Sequence, residues 1–270
     1  MISFFVNLSP VWQSLIATMF TFGVTALGAA FVFFFKKVNR SLMDGMLGFA
    51  AGVMIAASFW SLLNPAIEMA TDLGMISWFT VSIGFICGGL LLFIGDKVCN
   101  RFLSKSNKFS LSNEKNSFKR CLLLIFSITL HNIPEGLAVG VGFGSLYHGT
   151  STGTLLGACT LAFGIGLQNF PEGTAVSLPL RREGYSRKKS FFYGQLSGIV
   201  EPISGVIGAL LVMKIQRILP FLLAFAAGSM IYVVIQELIP ESQSNKDKGL
   251  MALFSLFGFV IMMVLDVALG

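Results

Sequence analysis

The hexad HNIPEG occupies His131 to Gly136, and thirty-seven residues on, QNFPEG occupies Gln168 to Gly173. In a helix, His131 and Glu135 lie four apart on one face, about one turn from each other, as do Gln168 and Glu172. Asn132 and Asn169 flank those faces. Pro134 and Pro171 each remove a backbone hydrogen bond and press on the carbonyl four residues back, that of Leu130 or Leu167. Each hexad thus gathers a carboxylate, an amide oxygen and a freed carbonyl, and the first copy adds an imidazole nitrogen. A third carboxylate, Glu201, stands in GQLSGIVEP. Such a mixture of nitrogen and oxygen ligands suits borderline divalent metals, Zn²⁺ first, with Cd²⁺, Fe²⁺ and Mn²⁺ also fitting.

The frame that must position these groups is a membrane-spanning one. Of 270 residues, 54% are hydrophobic and 12% charged, against about 25% charged in a soluble domain. Apolar runs long enough to cross a hydrocarbon core recur at roughly 11–35, 42–64, 75–96, 120–145, 152–180, 190–213, 218–240 and 249–269. The expected fold is all-α: one polytopic membrane domain over residues 1–270, with eight transmembrane helices. His131 lies about eleven residues into span 4 and Gln168 about sixteen into span 5, so at ~1.5 Å per residue both hexads sit near mid-depth. Spans 4 and 5 run in opposite directions, which relates the two hexads by inversion, as in transporters whose inverted repeats meet at a midplane site.

A carboxylate at the bilayer centre costs at least ~2.5–3.5 kcal/mol. Glu135, Glu172 and Glu201 together cost several times that, and no Lys or Arg lies at their depth to form an ion pair. Protonation or a bound cation remain. A single buried PEG reads as a protonated kink as readily as a ligand. Two inverted copies and a third buried Glu favour the metal.

Seventeen of the 19 basic residues fall after spans 1, 3, 5 and 7, where Lys36, Arg101, Arg181 and Lys246 are examples. The positive-inside rule assigns that side to the cytoplasm and places both termini outside. These anchors account for the net charge of +6, so no nucleic-acid partner is expected; the partners are a divalent ion and membrane lipid. The first ten residues carry no Lys or Arg, so the first span is expected to be retained. Asn100 to Lys119, polar and basic without helical period, reads as a flexible linker. It contains no His or Cys to buffer metal. Cys87, Cys99, Cys121 and Cys159 form no CxxC pair and read as apolar packing. His148 reads as a loop residue. No GxxxxGK phosphate loop is present, so no ATP-driven pump is indicated. An intramembrane binuclear metallohydrolase is the alternative, since bridged metals also activate water; it needs a spare general base, and no HExxH is present. The chain is not expected to be an enzyme.

With its paired hexads, eight spans and long connection between spans 3 and 4, the sequence resembles the Zrt/Irt-like (ZIP) family of divalent metal transporters. The likeness is greatest to the bacterial GufA-like branch and covers essentially the whole chain. It implies a helical bundle with inverted repeats that moves zinc and related metals across the cell inner membrane into the cytoplasm by alternating access. It further implies a binuclear centre. His131, Glu135, Gln168 and Glu172 would hold one metal, joined by Met54; Asn132, Asn169 and Glu201 would hold a second, with Glu135 and Glu172 bridging. By the same resemblance Ser61, Glu68 and Asp266 line the outer path, and Glu237 and Glu241 the inner one. Glu68 and Asp72 equally fit a solvated helix end. Gln236 stands where many members carry His, and Gln168 and Asn169 where some carry His or Asp. Zinc is cargo, no organic cofactor is implied, and a homodimer is compatible with the arrangement.

Overall fold

The computed structural model describes residues 5–34, 40–105, 129, 132–148, 154–182 and 184–269. His131, Cys121 and most of the predicted linker, 106–119, lie outside the described residues. Eight long helices follow one another: α1 (Pro10–Phe34), α2 (Arg40–Asp72), α3 (Ser77–Lys105), α4 (132–145), α5 (Leu155–Arg182), α6 (Arg187–Lys214), α7 (Gln216–Ser242) and α8 (Lys248–Leu269). By length and composition, six of them could cross a membrane. The other two are the hexad helices: α4 is described only from 132, and α5, with 28 residues, is made more polar by Gln168, Asn169 and Glu172. The protein is a multi-pass membrane protein.

Two boundaries differ from expectation. Helix α3 continues to Lys105, so the first part of the predicted linker is helical, because RFLSK holds no breaker to stop the preceding turn. Helix α2 extends to Asp72 through a π turn at Ser58–Leu63, and Pro65 enters the first turn of the segment that follows. A second π turn, Val234–Leu238 in α7, likewise precedes a proline, Pro240. A π turn lets the chain absorb the missing N–H of such a proline without ending the helix. Helix α5 is not interrupted: it runs through Pro171 and Pro179.

The helices associate in tight pairs, α1 with α5, α2 with α8 and α3 with α7. Glycines set these approaches. A Cβ at Gly173 would collide with the Thr25 carbonyl oxygen of α1, and one at Gly88 with the Phe225 carbonyl oxygen of α7. Helices α4 and α6 meet in the same manner, with Gly140 against the Gly205 backbone. Since lipid removes the hydrophobic drive for helices to associate, such close backbone packing supplies much of it. Helix α1 also packs on both halves of α6. Two groups result, α1/α4/α5/α6 and α2/α3/α7/α8, joined where α5 lies against α2 and α8. Phe5 stands edge-on to Phe143 at 6.0 Å, and Asp266 accepts a hydrogen bond from Ser61. Both chain ends therefore share one end of the bundle.

Candidate metal centre

Helices α4 and α5 bring the two hexads face to face. The Gln168 Nε2 donates to Glu135 Oε1 at 2.6 Å, across 33 residues of chain. The Asn132 Nδ2 donates to the Ser197 carbonyl of α6 at 3.0 Å. Asn169 Nδ2 reaches both oxygens of Glu201, at 3.0 and 2.9 Å, and lies 3.4 Å from the Thr21 carbonyl of α1. Helix α6 turns tightly at Ser197–Ile199 just before Glu201, which presents that side chain to α5. Asn132, Glu135, Gln168, Asn169 and Glu201 are fully buried, and Glu172 is 5% exposed.

Polar accounting at this cluster leaves a one-sided remainder. Asn132 Oδ1, Glu135 Oε2, Gln168 Oε1, Asn169 Oδ1 and Glu172 Oε2 are all buried and have no hydrogen-bond partner among the described residues. Each such orphan costs about 1–3 kcal/mol. All are oxygens, and all belong to residues singled out by the hexads. Five acceptors without donors in one place form a seat for positive charge, and hard or borderline oxygen-binding cations match it. Among the described residues no three His, Cys, Asp or Glu side chains form a metal-holding group on their own. The seat is built from carboxylates interleaved with amides, and His131, the one imidazole expected in it, lies outside the described residues.

Met54 is fully buried in α2, within the main apolar cluster. Ser61, Glu68 and Asp266 come together at the walls of a cavity of about 340 Å³, also lined by Asn64, Ser145 and Thr154. Ser61 Oγ donates to Asp266 Oδ1 at 2.5 Å, and Asn64 Nδ2 to Glu68 Oε1 at 2.9 Å. Asp266 Oδ2 is buried and unpartnered, like the oxygens of the centre. At the opposite end, Glu237 is half-buried in the π turn of α7, and Gln236 and Glu241 are exposed.

Sequence reasoning missed two neighbours of Glu201. The hydroxyl of Thr21 donates to its Oε2, and that of Thr25 to its Oε1 at 3.4 Å. A signal was present: Ser14, Thr18, Thr21 and Thr25 are spaced 4, 3 and 4 apart, a polar stripe on one face of an otherwise apolar span, and all are buried. Asn64 at the cavity was also missed.

Comparison with known proteins identifies the family. Residues 104–266 match the family model of the ZIP zinc transporter. Zinc transporter ZIP11 of Homo sapiens is 41% identical, over 97% of this chain and 98% of its own length. Zinc transporter GufA of Myxococcus xanthus is 34% identical over 95% and 98%, and zinc transporter ZIPB of Bordetella bronchiseptica 34% over 92% and 79%. A chain with paired inverted hexads, an all-helical membrane fold and this degree of likeness along nearly its whole length belongs to the ZIP zinc transporter family.

Proposed function

We propose that the chain carries zinc across the inner membrane into the cytoplasm by alternating access, with the metal seated between the hexads of α4 and α5 and Glu201 of α6. The observation that carries this reading is the set of five buried acceptor oxygens without donors. His131 completes the first metal position with Glu135, Gln168 and Glu172, and Met54 approaches it from α2. Asn132, Asn169 and Glu201 form the second position, bridged to the first by Glu135 and Glu172. Cd²⁺, Fe²⁺ and Mn²⁺ fit the same ligand types.

Zinc enters through the cavity of Ser61, Glu68 and Asp266, which attracts cations by its carboxylates. It leaves past Glu237, half-buried in the π turn of α7, and then Glu241. The basic residues that follow α1, α3, α5 and α7 support a cytoplasmic placement of the Glu241 end and an outward placement of both termini. Among the described residues, the α1/α4/α5/α6 group holds every predicted centre ligand except Met54, so movement of that group against α2/α3/α7/α8 exposes the metal to either side in turn. A divalent ion entering an inside-negative compartment gains about 4.6 kcal/mol per 100 mV, twice the single-charge value, and no further energy source is needed. The names of the relatives weigh for transport and against the hydrolytic alternative.

The test is radiolabelled zinc uptake into proteoliposomes, wild type against Glu172→Ala. Accumulation in wild type that disappears in the variant supports the reading. A wild type that accumulates no zinc defeats it.

A further inference from the structure

Of the three carboxylates in the centre, Glu201 alone has both oxygens met by donors among the described residues. Oε1 accepts from Asn169 Nδ2 at 3.0 Å and Thr25 Oγ1 at 3.4 Å; Oε2 accepts from Asn169 Nδ2 at 2.9 Å and from the hydroxyl of Thr21. A carboxylate offers about four acceptor positions, and these four contacts take them up. Among the described residues, Glu135 receives only Gln168, through one oxygen, and Glu172 Oε2 receives nothing.

The donors differ in what else they can do. Asn169 carries an unpartnered buried Oδ1 on the same amide that donates to Glu201. A turn of that amide withdraws its two contacts and offers an oxygen instead. The threonine hydroxyls have other acceptors only on their own helix, Thr21 Oγ1 lying 3.0 Å from the Thr18 carbonyl and Thr25 Oγ1 3.3 Å from the Thr21 carbonyl. Each sits on α1, which is fastened to α5 by the close approach of Gly173 to Thr25 and packed against α6. Gly198, one turn before Glu201, also has Thr25 in its immediate surroundings. The two threonine oxygens are therefore held beside Glu201 by the packing of α1, while the amide can turn away.

We propose that Thr21 and Thr25 are positioning residues of the metal centre: they hold the Glu201 carboxylate so that an arriving cation takes over the two acceptor positions that Asn169 gives up. This gives α1, which supplies no ligand of its own, a direct part in metal capture. Hydrogen-bond partners that orient ligating carboxylates are known to matter in this way, and their loss costs roughly 10–100-fold in metal affinity or activity. The inference rests on the transport reading above.

The test uses the full-length protein and zinc ion as the probe. Thr21→Val with Thr25→Val keeps side-chain shape and removes both hydroxyls; Thr21→Ser with Thr25→Ser keeps the hydroxyls. Zinc binding is followed by isothermal titration and by the rise in unfolding temperature on adding zinc, and uptake is resolved into KM and maximal rate. The expected result is a roughly 10–100-fold weaker zinc affinity in the valine pair, with KM raised in step, the maximal rate largely kept, and the serine pair close to wild type. Wild-type affinity in the valine pair overturns the proposal, as does a serine pair that falls as far as the valine pair. If the valine pair does not fold, Thr25→Val alone is read by the same criteria, since it removes the longer of the two contacts. A wild type that neither binds nor accumulates zinc fails the transport reading itself, whereas zinc-transporting wild type with an unaffected valine pair fails only this inference.

Discussion

The two groups of helices bury different things. Among the described residues, 22 buried side chains are polar or charged, and 18 of them belong to α1, α4, α5 and α6; the α2/α3/α7/α8 group holds four, Asp44, Ser58, Ser229 and Ser242. Both groups use glycine contacts of the same closeness, so the contrast is not one of packing quality. It lies in what packing encloses. The α2/α3/α7/α8 group is largely apolar inside, with Asp44 as its one buried acidic side chain among the described residues and Ser61, Glu68 and Asp266 at a cavity. The other holds most of the unpartnered buried oxygens of the described residues, five of them in the hexads, although Asp44 Oδ1, Ser58 Oγ, Ser242 Oγ and Asp266 Oδ2 of the first group are unpartnered as well.

The comparison breaks most sharply at the carboxylates. Replacing Glu135 and Glu172 by Gln removes the negative charges at the seat while keeping side-chain shape. Zinc uptake in proteoliposomes is expected to fall by about 100-fold or more, as when metal ligands are lost outright. The metal-free protein should unfold at the same temperature or a higher one, because removing a buried, uncompensated carboxylate relieves a standing cost. A variant that loses both uptake and stability would mean that the carboxylates hold the fold together rather than the ion.

Acidity of the outer solution acts on the same group. Metal binds the deprotonated ligands, so protons compete with it. As pH falls through the range where imidazole and carboxylates take up protons, uptake should decline, by up to about tenfold per pH unit for each proton displaced. Uptake measured between neutral and strongly acidic outer pH checks the sign; full retention at acid pH would remove His131 and the carboxylates as ligands.

The frame should respond in the opposite sense. In Gly88→Ala the new methyl meets the Phe225 carbonyl of α7, which is backbone and cannot rotate away. A loss of about 1–3 kcal/mol in stability is expected, seen as a lower unfolding temperature, with zinc affinity by titration unchanged. A shift in affinity without a shift in stability would contradict the separation of the two groups.

Much of this division could be read from the sequence, and what could not has a physical reason. The hexads announced Asn132, Glu135, Gln168, Asn169 and Glu172 because a carboxylate in an apolar run is costly enough to need a cause. Glu201 was legible for the same reason, as were Ser61, Glu68 and Asp266 once the family resemblance placed them. Thr21 and Thr25 were not, since a threonine in a membrane helix satisfies its hydroxyl on its own backbone, as Thr21 also does toward the Thr18 carbonyl at 3.0 Å, and sequence does not tell which way it turns. The π turns in α2 and α7 escaped because a proline marks a disturbed helix without saying whether the helix ends, kinks or widens. The division into two groups was hidden for a further reason: it follows from which glycines find which backbones, a matter of contact between distant helices.

The smallest expected effect is at the seam between the groups, and it distinguishes a moving boundary from a fixed one. Gly164 of α5 faces Met262 of α8, which is fully buried, and a Cβ there would run into the methionine sulfur and its terminal methyl. Unlike the Phe225 carbonyl, these are the far end of a flexible, polarisable side chain that can repack. In Gly164→Ala the fold should therefore survive with little loss of stability, and the zinc affinity of a seat that lies further along α5 should stay as it was. If α5 must slide past α8 in each cycle, the added methyl raises the barrier to that sliding without favouring either end, and maximal uptake falls about two- to fivefold, an increment of roughly 0.4–1 kcal/mol in the barrier. Unchanged turnover would place the seam at rest during transport and move the sliding surface to the α2 side of α5; a fall in affinity rather than in turnover would mean that the seam shapes the seat instead of letting it travel.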